Sequence, residues 1–306
     1  MPAPTIAVGP RPASWVDDAI RAGGGTPVDD PGDAVGLVWC PPLEPEGLGR
    51  LLAAHPSIRW VQLPLAGIED FTAAGVVDPA RTWTCAKGSY AQPVAEHALA
   101  LTLAGLRHLP ERIAARSWGE PKGSSLYGQR VVILGGGGIT TELLRLLAPM
   151  RVDATVVRRR PEPVDGAGRT VSPAELPDVL PGAAVVYLAL ALTPDTAGII
   201  DEEQLRRMDR RAWLVNVARG SHVVTDALVK ALQEGWIAGA ALDVTDPEPL
   251  PRDHPLWSAP NCIVTPHTAN TWEMVRPLLS ERISTNVSRF AAGEPLVGLV
   301  DPAAGY

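Results

Sequence analysis

RVVILGGGGIT, residues 130 to 140, is the stretch of the sequence that decides the fold. An apolar run typical of a buried strand leads directly into a glycine cluster, and the residues after the cluster have the apolar spacing of a helix. This context is what a dinucleotide-binding fingerprint requires. Gly135 permits the tight turn, and Gly137 lets a pyrophosphate approach the N–H groups at the start of the helix. Thr140 stands where the fingerprint has its third glycine, so the match is incomplete.

Strand-like and helix-like patterns alternate on both sides of this turn, which predicts parallel α/β sheets. After the turn, five more strands are predicted, at 154–157, 184–190, 213–217, 238–244 and 262–265. Six strands are the number expected of a complete doubly wound dinucleotide domain. Before the turn, four short strands are predicted, at 5–8, 36–40, 59–63 and 82–86. Helices are predicted at 14–22, 46–54, 93–109, 141–147, 201–208, 226–234 and 272–292.

Length and composition describe an ordinary globular chain of about two domains. The 306 residues are 46% hydrophobic and 20% charged, with a mean hydropathy of +0.06, which excludes a disordered chain. The longest nearly unbroken apolar run, 183–192, has ten residues, where a membrane-spanning helix needs about twenty. A net charge of −7 argues against nucleic acid or an anionic membrane as a partner. The first residues have no basic region followed by a long apolar stretch, so we expect a cytoplasmic protein.

The three cysteines, Cys40, Cys85 and Cys262, lie far apart and form no CxxC pair. This spacing provides neither a disulfide framework nor a zinc site. We therefore expect each thiol to be a small buried side chain, and we expect no metal in the protein.

Arg219, Glu248 and His267 lie just beyond the last three predicted strands. Because the carboxyl ends of parallel strands open onto one edge of a sheet, we expect these side chains to converge. A guanidinium binds a carboxylate through two hydrogen bonds, an imidazole transfers a proton, and a carboxylate orients that imidazole and favours its charged form. Each residue alone could be an ordinary loop or capping residue. Together they suit the reduction of a carbonyl group beside a nicotinamide.

The predicted strand at 154–157 ends in a run of arginines, Arg158 to Arg160. In an NAD site an Asp or Glu stands about 20 residues after the glycine turn and accepts hydrogen bonds from the ribose. Arg158 stands at that place here, and Asp153 cannot supply the acid because it precedes the predicted strand. Guanidinium groups would bind the 2′-phosphate of NADP through charge-assisted hydrogen bonds. The run therefore favours NADP(H) over NAD(H), with a solvated basic loop as the alternative.

Several longer motifs resemble the D-isomer-specific 2-hydroxyacid dehydrogenases over almost the whole chain. They are QLPLAGIE (62–69), PVAEHALAL (93–101), LYGQRVVILGGGGI (126–139), LTPDTAGII (192–200), VNVARG (215–220), LDVTDPEP (242–249) and TPHTA (265–269). The resemblance implies a central Rossmann dinucleotide-binding domain, 95–279, and a flavodoxin-like substrate domain, 1–94 with 280–306. It also implies a homodimer formed through the Rossmann domains.

The same resemblance assigns the site residues. Arg219, Glu248 and His267 match the catalytic residues of the family. Ala66 and Gly67 match a loop whose backbone N–H groups receive the substrate carboxylate, with Arg219 as a further substrate ligand. Asp243, which matches the partner of the nicotinamide carboxamide, joins the residues expected to bind the cofactor: Gly135, Gly137, Gly138, Ile139, Arg158, Arg159, Thr193, Ala218 and Asp243. Leu65 stands where many members of the family have Gly or Ser, which leaves the identity of the substrate open.

These observations predict an oxidoreductase that transfers hydride between NADP(H) and a small 2-keto acid/D-2-hydroxy acid pair, such as glyoxylate or hydroxypyruvate. D-3-phosphoglycerate dehydrogenase is the alternative within the family. Many of those enzymes carry an extra C-terminal regulatory domain, which we do not expect here. A non-catalytic dinucleotide sensor on the same fold is the alternative outside the enzymes, although a sensor has no need of a proton donor. His97, on the apolar pattern 93–109, is expected to be a packed or interdomain residue rather than a catalyst.

Overall fold

The chain divides into two compact units, each built on one parallel sheet. The computed structural model describes residues 2–41 and 43–302. One unit contains the described residues up to Tyr90 together with those from Thr271 onward, and the other contains residues 91–270. The domain limits expected from the sequence, 1–94 with 280–306 and 95–279, stay a prediction, and residues 1, 42 and 303–306 of that first domain lie outside the described residues.

The sheet of the first unit has five described strands, all parallel. They are β1 (Thr5–Gly9), β2 (Thr26–Val28), β3 (Gly36–Trp39), β4 (Trp60–Gln62) and β5 (Thr82–Thr84). Their order, β2-β1-β3-β4-β5, is that of a flavodoxin-like sheet, as predicted. The strand β2 was not predicted from the sequence because it is short and contains Pro27, which a strand tolerates at a sheet edge. Trp39, Trp60, Trp83 and Phe71 fill the core of this unit.

The sheet of the second unit has seven described parallel strands rather than the six predicted. They are β6 (Arg130–Leu134), β7 (Asp153–Val157), β8 (Arg169–Val171), β9 (Val185–Leu188), β10 (Trp213–Asn216), β11 (Gly239–Leu242) and β12 (Cys262–Val264). The order is β12-β11-β10-β9-β6-β7-β8. The missed strand, β8, lies at one edge and has a single buried residue, Val171. Because the strand order reverses at β6, the ligand crevice of a doubly wound sheet is expected at its carboxyl end, where the glycine turn lies.

Helices connect the strands of both sheets. They are α1 (Ser14–Ala22), α2 (Pro45–Ala54), α3 (Glu69–Ala73), α4 (Ala91–Leu106), α5 (Leu109–Ala114), α6 (Gly138–Leu147), α7 (Leu176–Val179), α8 (Glu202–Arg207), α9 (Thr225–Gln233) and α10 (Trp272–Ala292). Short 3-10 turns are found at Pro31–Asp33, Ala148–Met150, Pro173–Glu175, Gly220–His222 and Pro255–Trp257. The helix predicted at 93–109 ends early because His108 adopts a left-handed conformation, φ 50°. Within the described ranges, no helix has both the length and the apolar character needed to cross a membrane.

A buried polar network attaches α10 to the sheet of the first unit. The Asn286 amide donates to Gln62 Oε1 and to the carbonyl of Val297, at 2.9 Å each. Thr84 Oγ1 donates to Gln62 Oε1 at 2.8 Å and accepts from Trp60 Nε1 at the same distance. Gln62, Thr84 and Asn286 are fully buried. Since a buried polar group without a partner is destabilising, each of these side chains depends on the others for its place in the core.

Candidate active site

The glycine turn after β6 is shaped to receive a dinucleotide. Gly135 has φ 110°, and a Cβ atom at this position would lie 2.1 Å from the carbonyl oxygen of Ala189, so only glycine fits. Gly137 is the N-cap of α6. A Cβ atom at Gly137 would meet no protein atom within 4 Å. Gly137 and Gly138 are exposed, and the first N–H groups of a helix have no partner within the helix, so this N-terminus fits the pyrophosphate of a nicotinamide dinucleotide.

Thr140 fills the position of the missing third glycine without leaving a polar group unpaired. Its side chain is fully buried, and its hydroxyl donates to the carbonyl of Gly135 at 2.9 Å. This hydrogen bond ties the first turn of α6 to the glycine turn. The departure from the fingerprint is therefore accommodated by a local contact.

Arg158 lies beside the glycine turn at the carboxyl end of β7. A Cβ atom at Gly136 would lie 2.8 Å from Arg158 Cδ, so the arginine side chain packs against the turn. Its Nη2 lies 3.6 Å from Glu162 Oε2, on a carboxylate that is mostly exposed. Arg159 is exposed. Asp153 is the first residue of β7 rather than a residue before it, which corrects the sequence analysis but leaves this carboxylate at the opposite end of the strand.

Two predicted cofactor residues lie in loops that are organised by side chains the sequence analysis missed. The N–H of Thr193 donates to Thr196 Oγ1 at 2.8 Å, and the N–H of Ala218 donates to Asn216 Oδ1 at 3.0 Å. His222, which is fully buried, contacts the carbonyl oxygen of Thr196 through Nδ1 at 2.9 Å. Asn216 and His222 are polar residues in the segment VNVARGSH (215–222), which begins at the end of a buried strand. A polar side chain in such a place is the signal by which they could have been predicted.

His267 and Glu248 form a direct pair at the carboxyl ends of β12 and β11. His267 Nδ1 lies 2.7 Å from Glu248 Oε1, and the other carboxylate oxygen accepts from the N–H of Thr245 at 3.3 Å. The His267 and Glu248 side chains are 45% and 40% exposed. The pairing of Nδ1 with the carboxylate leaves Nε2 as the atom that can transfer a proton.

Arg219 follows β10 at the neighbouring strand end. Its Nη1 donates to the carbonyl of Ala218 at 2.7 Å, and its own carbonyl accepts from Asn216 Nδ2 at 2.8 Å. A Cβ atom at Gly220 would lie 2.0 Å from the Thr245 carbonyl group, so the chain after Arg219 passes directly against the residue that binds Glu248. The sheet thus brings the loops that carry Arg219 and Glu248 together.

Asp243 is buried among protein donors. It is 2% exposed. Its carboxylate accepts from Thr265 Oγ1 at 2.6 Å and from the N–H groups of Thr268 and Ala269 at 2.9 Å. Burial by itself would raise the pKa of Asp243, but hydrogen bonds from His97, Thr265, Thr268 and Ala269 outweigh it and lower the pKa to about 2. The carboxylate is therefore ionised throughout the physiological pH range.

The loop with Ala66 and Gly67 lies in the first unit, after β4. Three successive carbonyl groups of this loop accept hydrogen bonds. The carbonyl of Pro64 accepts from the Tyr90 hydroxyl at 2.5 Å, that of Leu65 from the N–H of Ala86 at 2.9 Å, and that of Ala66 from the Cys85 thiol at 3.6 Å. The Leu65 and Ala66 residues are themselves exposed. The loop is thus fixed on its carbonyl side and open to solvent at its tip.

In the described part of the chain, no group of three or more His, Cys, Asp or Glu side chains is arranged to hold a metal ion. Burial raises the pKa of the Cys40 and Cys262 thiols to about 12. Thiols that stay protonated are poor metal ligands and poor nucleophiles.

Comparisons with known proteins agree with this geometry. A family model described as "D-isomer specific 2-hydroxyacid dehydrogenase, NAD binding domain" matches residues 98–269. A protein from the proB 3′ region of Corynebacterium melassecola is 44% identical over 257 residues, which cover 82% of this chain and 84% of that protein. The glyoxylate reductase of Thermofilum pendens is 34% identical over 263 residues, which cover 82% of this chain and 77% of the reductase.

A solved structure is similar over nearly the full length. It is a D-isomer specific 2-hydroxyacid dehydrogenase from Xanthobacter autotrophicus Py2 in complex with NADPH and MES, with a TM-score of 0.86 and 28% identity. The alignment covers 99% of this chain and 100% of that one. Since the family model matches more than half of the chain and relatives align with most of the rest, the chain belongs to the D-isomer specific 2-hydroxyacid dehydrogenases, a family of NAD(P)-dependent oxidoreductases.

Proposed function

We propose that this enzyme reduces a small 2-keto acid, such as glyoxylate or hydroxypyruvate, to the D-2-hydroxy acid and prefers NADPH as the hydride source. The observation that carries the proposal is the 2.7 Å contact between His267 and Glu248, in the same unit as a glycine turn that fits a dinucleotide. The likeness to the glyoxylate reductase of Thermofilum pendens supports the substrate class. A cytoplasmic location stays a prediction.

The chemistry of these side chains gives each of them a separate role in the reaction. The bound nicotinamide supplies the hydride that the carbonyl carbon accepts. His267 donates a proton from Nε2 to the carbonyl oxygen, while Glu248 accepts from Nδ1 and stabilises the charged imidazolium. Arg219 binds the substrate carboxylate through its planar guanidinium. Ala66 and Gly67 remain the proposed backbone donors to that carboxylate.

A panel of 2-keto acids tests the proposed function. Each acid is mixed with NADPH or NADH, and loss of the reduced-cofactor absorbance is followed. We expect glyoxylate or hydroxypyruvate to be reduced with NADPH. A preference for a phosphorylated keto acid in this panel would favour D-3-phosphoglycerate dehydrogenase instead, and cofactor binding without turnover of any acid would favour a sensor.

The substitution Arg219→Lys is expected to be damaging although the charge is retained. Lysine cannot offer two parallel N–H groups to a carboxylate. The loss of one charge-assisted hydrogen bond, about 1.5–3 kcal/mol, corresponds to a fall in kcat/KM of about tenfold to a hundredfold. Steady-state kinetics with the best keto acid measure this effect. Unchanged kcat and KM in the variant would remove Arg219 from the substrate site.

The substitution Glu248→Gln is expected to lower kcat for keto-acid reduction. The carboxylate lies 2.7 Å from His267 Nδ1 and orients the imidazole, whereas a glutamine side chain offers a neutral amide in its place. The loss of one charge-assisted hydrogen bond, about 1.5–3 kcal/mol, corresponds to a fall of about tenfold to a hundredfold. Steady-state kinetics measure kcat, and a variant with the kcat of the wild type would contradict the pairing.

We further propose that the enzyme is a homodimer. Between residues 109 and 127 the second unit exposes four large apolar side chains: Leu109, Ile113, Trp118 and Tyr127. Trp118 is 98% exposed. Exposed apolar groups of this size are typical of a subunit contact. Light scattering at micromolar concentration is expected to give twice the chain mass of 32.4 kDa, and Trp118→Asp is expected to lower that mass. A wild-type protein of 32.4 kDa would rule out the dimer.

A further inference from the structure

His97 lies on α4 and reaches the buried carboxylate of Asp243. Its Nε2 is 3.1 Å from Thr265 Oγ1 and 3.3 Å from Asp243 Oδ1. The His97 side chain is 22% exposed and the Asp243 side chain is 1% exposed. An apolar helix pattern thus places one titratable side chain beside the buried acid of the candidate site.

The hydrogen-bond pattern assigns the proton on His97. Thr265 has a single hydroxyl hydrogen, which it donates to Asp243 Oδ1 at 2.6 Å. The Thr265 oxygen can then only accept, and an ionised carboxylate can only accept. Nε2 of His97 must therefore carry a hydrogen, which it shares between the two oxygen atoms. His97, Thr265 and Asp243 form a chain of donors that ends on the carboxylate.

Asp243 in turn organises the turn that carries His267. The N–H groups of Thr268 and Ala269 donate to its two carboxylate oxygens, at 2.9 Å each. The N–H of His267 donates to the backbone carbonyl of Asp243 at 2.8 Å. His267 itself has φ 49°, in the left-handed region. A residue other than glycine rarely adopts this backbone conformation unless its surroundings impose it. The turn therefore depends on the hydrogen bonds that Asp243 provides.

We infer that His97 is a positioning residue for the proton donor: by donating from Nε2 to Thr265 and Asp243, it fixes the carboxylate that holds the turn of His267. The inference rests on the proposed function for its catalytic consequence, but not for its structural one. The pKa of Asp243 agrees with this role, because the hydrogen bond from His97 is the strongest of the contributions that lower it.

Amide hydrogen exchange measures the structural part directly. In His97→Ala the donor is lost, and we expect the Thr268 and Ala269 amides to exchange at least about tenfold faster than in the wild type, with distant amides unchanged. In His97→Gln the side-chain amide can donate to the same oxygens, and we expect protection close to that of the wild type. His55→Ala, which removes a histidine in the first unit, serves as the matched control and is expected to change neither amide.

Steady-state kinetics measure the catalytic part. Misplacement of a reacting group by about 1 Å lowers the rate about a hundredfold, so we expect kcat of His97→Ala to fall by about tenfold to a hundredfold. The KM for NADPH should change much less, and His97→Gln should recover kcat to within about threefold.

Two results would overturn the inference. One is wild-type exchange of the Thr268 and Ala269 amides in His97→Ala. The other is hydrogen exchange that becomes equally faster at amides throughout the second unit, with kcat per folded molecule unchanged. Such a result would mean that the substitution destabilises the whole unit. If the wild-type enzyme reduces no keto acid, the proposed function fails, while the exchange comparison still decides whether His97 holds the turn.

Discussion

Replacing His267 by alanine is expected to lower kcat for keto-acid reduction by about 10²–10⁴-fold, the usual contribution of a general acid. The imidazole is the side chain whose Nδ1 is paired with Glu248 at 2.7 Å, and the variant has no proton donor in its place. Because His267 lies outside the glycine turn, the affinity of the variant for the cofactor should change little. Stopped-flow or steady-state kinetics give kcat, and fluorescence titration gives the cofactor Kd.

A double variant makes this test sharper. If Glu248 acts through His267, then adding Glu248→Gln to His267→Ala should lower kcat little further, since residues that act as a unit have non-additive effects. Additive losses would mean that the two side chains work separately. A His267→Ala variant with near-normal kcat would show that another group donates the proton.

The enzyme is expected to prefer NADPH over NADH by about tenfold to a thousandfold in kcat/KM. Arg158 packs against Gly136 of the cofactor turn, and the neighbouring Arg159 is exposed. One or two charge-assisted hydrogen bonds to a 2′-phosphate, which at partly exposed guanidinium groups contribute about 1.5–4 kcal/mol in total, give a preference of this size because each 1.4 kcal/mol is tenfold. NADH has no such phosphate and gains nothing from these guanidinium groups.

Arg158→Asp is expected to erode or reverse this preference, because its carboxylate would repel a 2′-phosphate and accept hydrogen bonds from a ribose. Arg210→Asp is the matched control: it makes the same change of charge at an exposed position of the same unit and should leave the cofactor ratio unchanged. The ratio of kcat/KM for the two cofactors is the measurement. Equal values, or a preference for NADH, in the wild-type enzyme would defeat the assignment.

Long, strongly patterned segments of the fold were predictable from the sequence, and edge strands with few apolar residues were not. The bounds of α1 and α10 agree with the prediction residue for residue, because apolar spacing marks both helices. The missed edge strands, β2 (TPV) and β8 (RTV), each have a single valine beside polar residues or proline, whereas the edge strand β12 (CIV) is apolar throughout and was predicted. The break between α4 and α5 depends on the left-handed conformation of His108, which no local residue preference announces.

The candidate site divides in the same way. The positions of Arg219, Glu248 and His267 follow from strand ends, so the sequence predicts that their loops meet at one sheet edge. The contact between His97 and Thr265 joins residues 168 positions apart. An apolar helix pattern says that His97 is packed, but only the tertiary arrangement says against what. Its role therefore had to come from the structure.

The discontinuity of the first unit has a consequence for the order of events during synthesis. Gln62 and Thr84 leave the ribosome long before Asn286, which donates to Gln62 and completes their buried network. At about 5–20 residues per second, translation of residues 91–270 occupies on the order of 10–40 s. The second unit is continuous in sequence, so it can fold as soon as it has been made. At that time Gln62 still lacks the hydrogen bond from Asn286, and Trp60 still lacks its stacking contact with Phe290. In a growing chain, the N-terminal segment that ends at Tyr90 is therefore the part that most needs protection from aggregation.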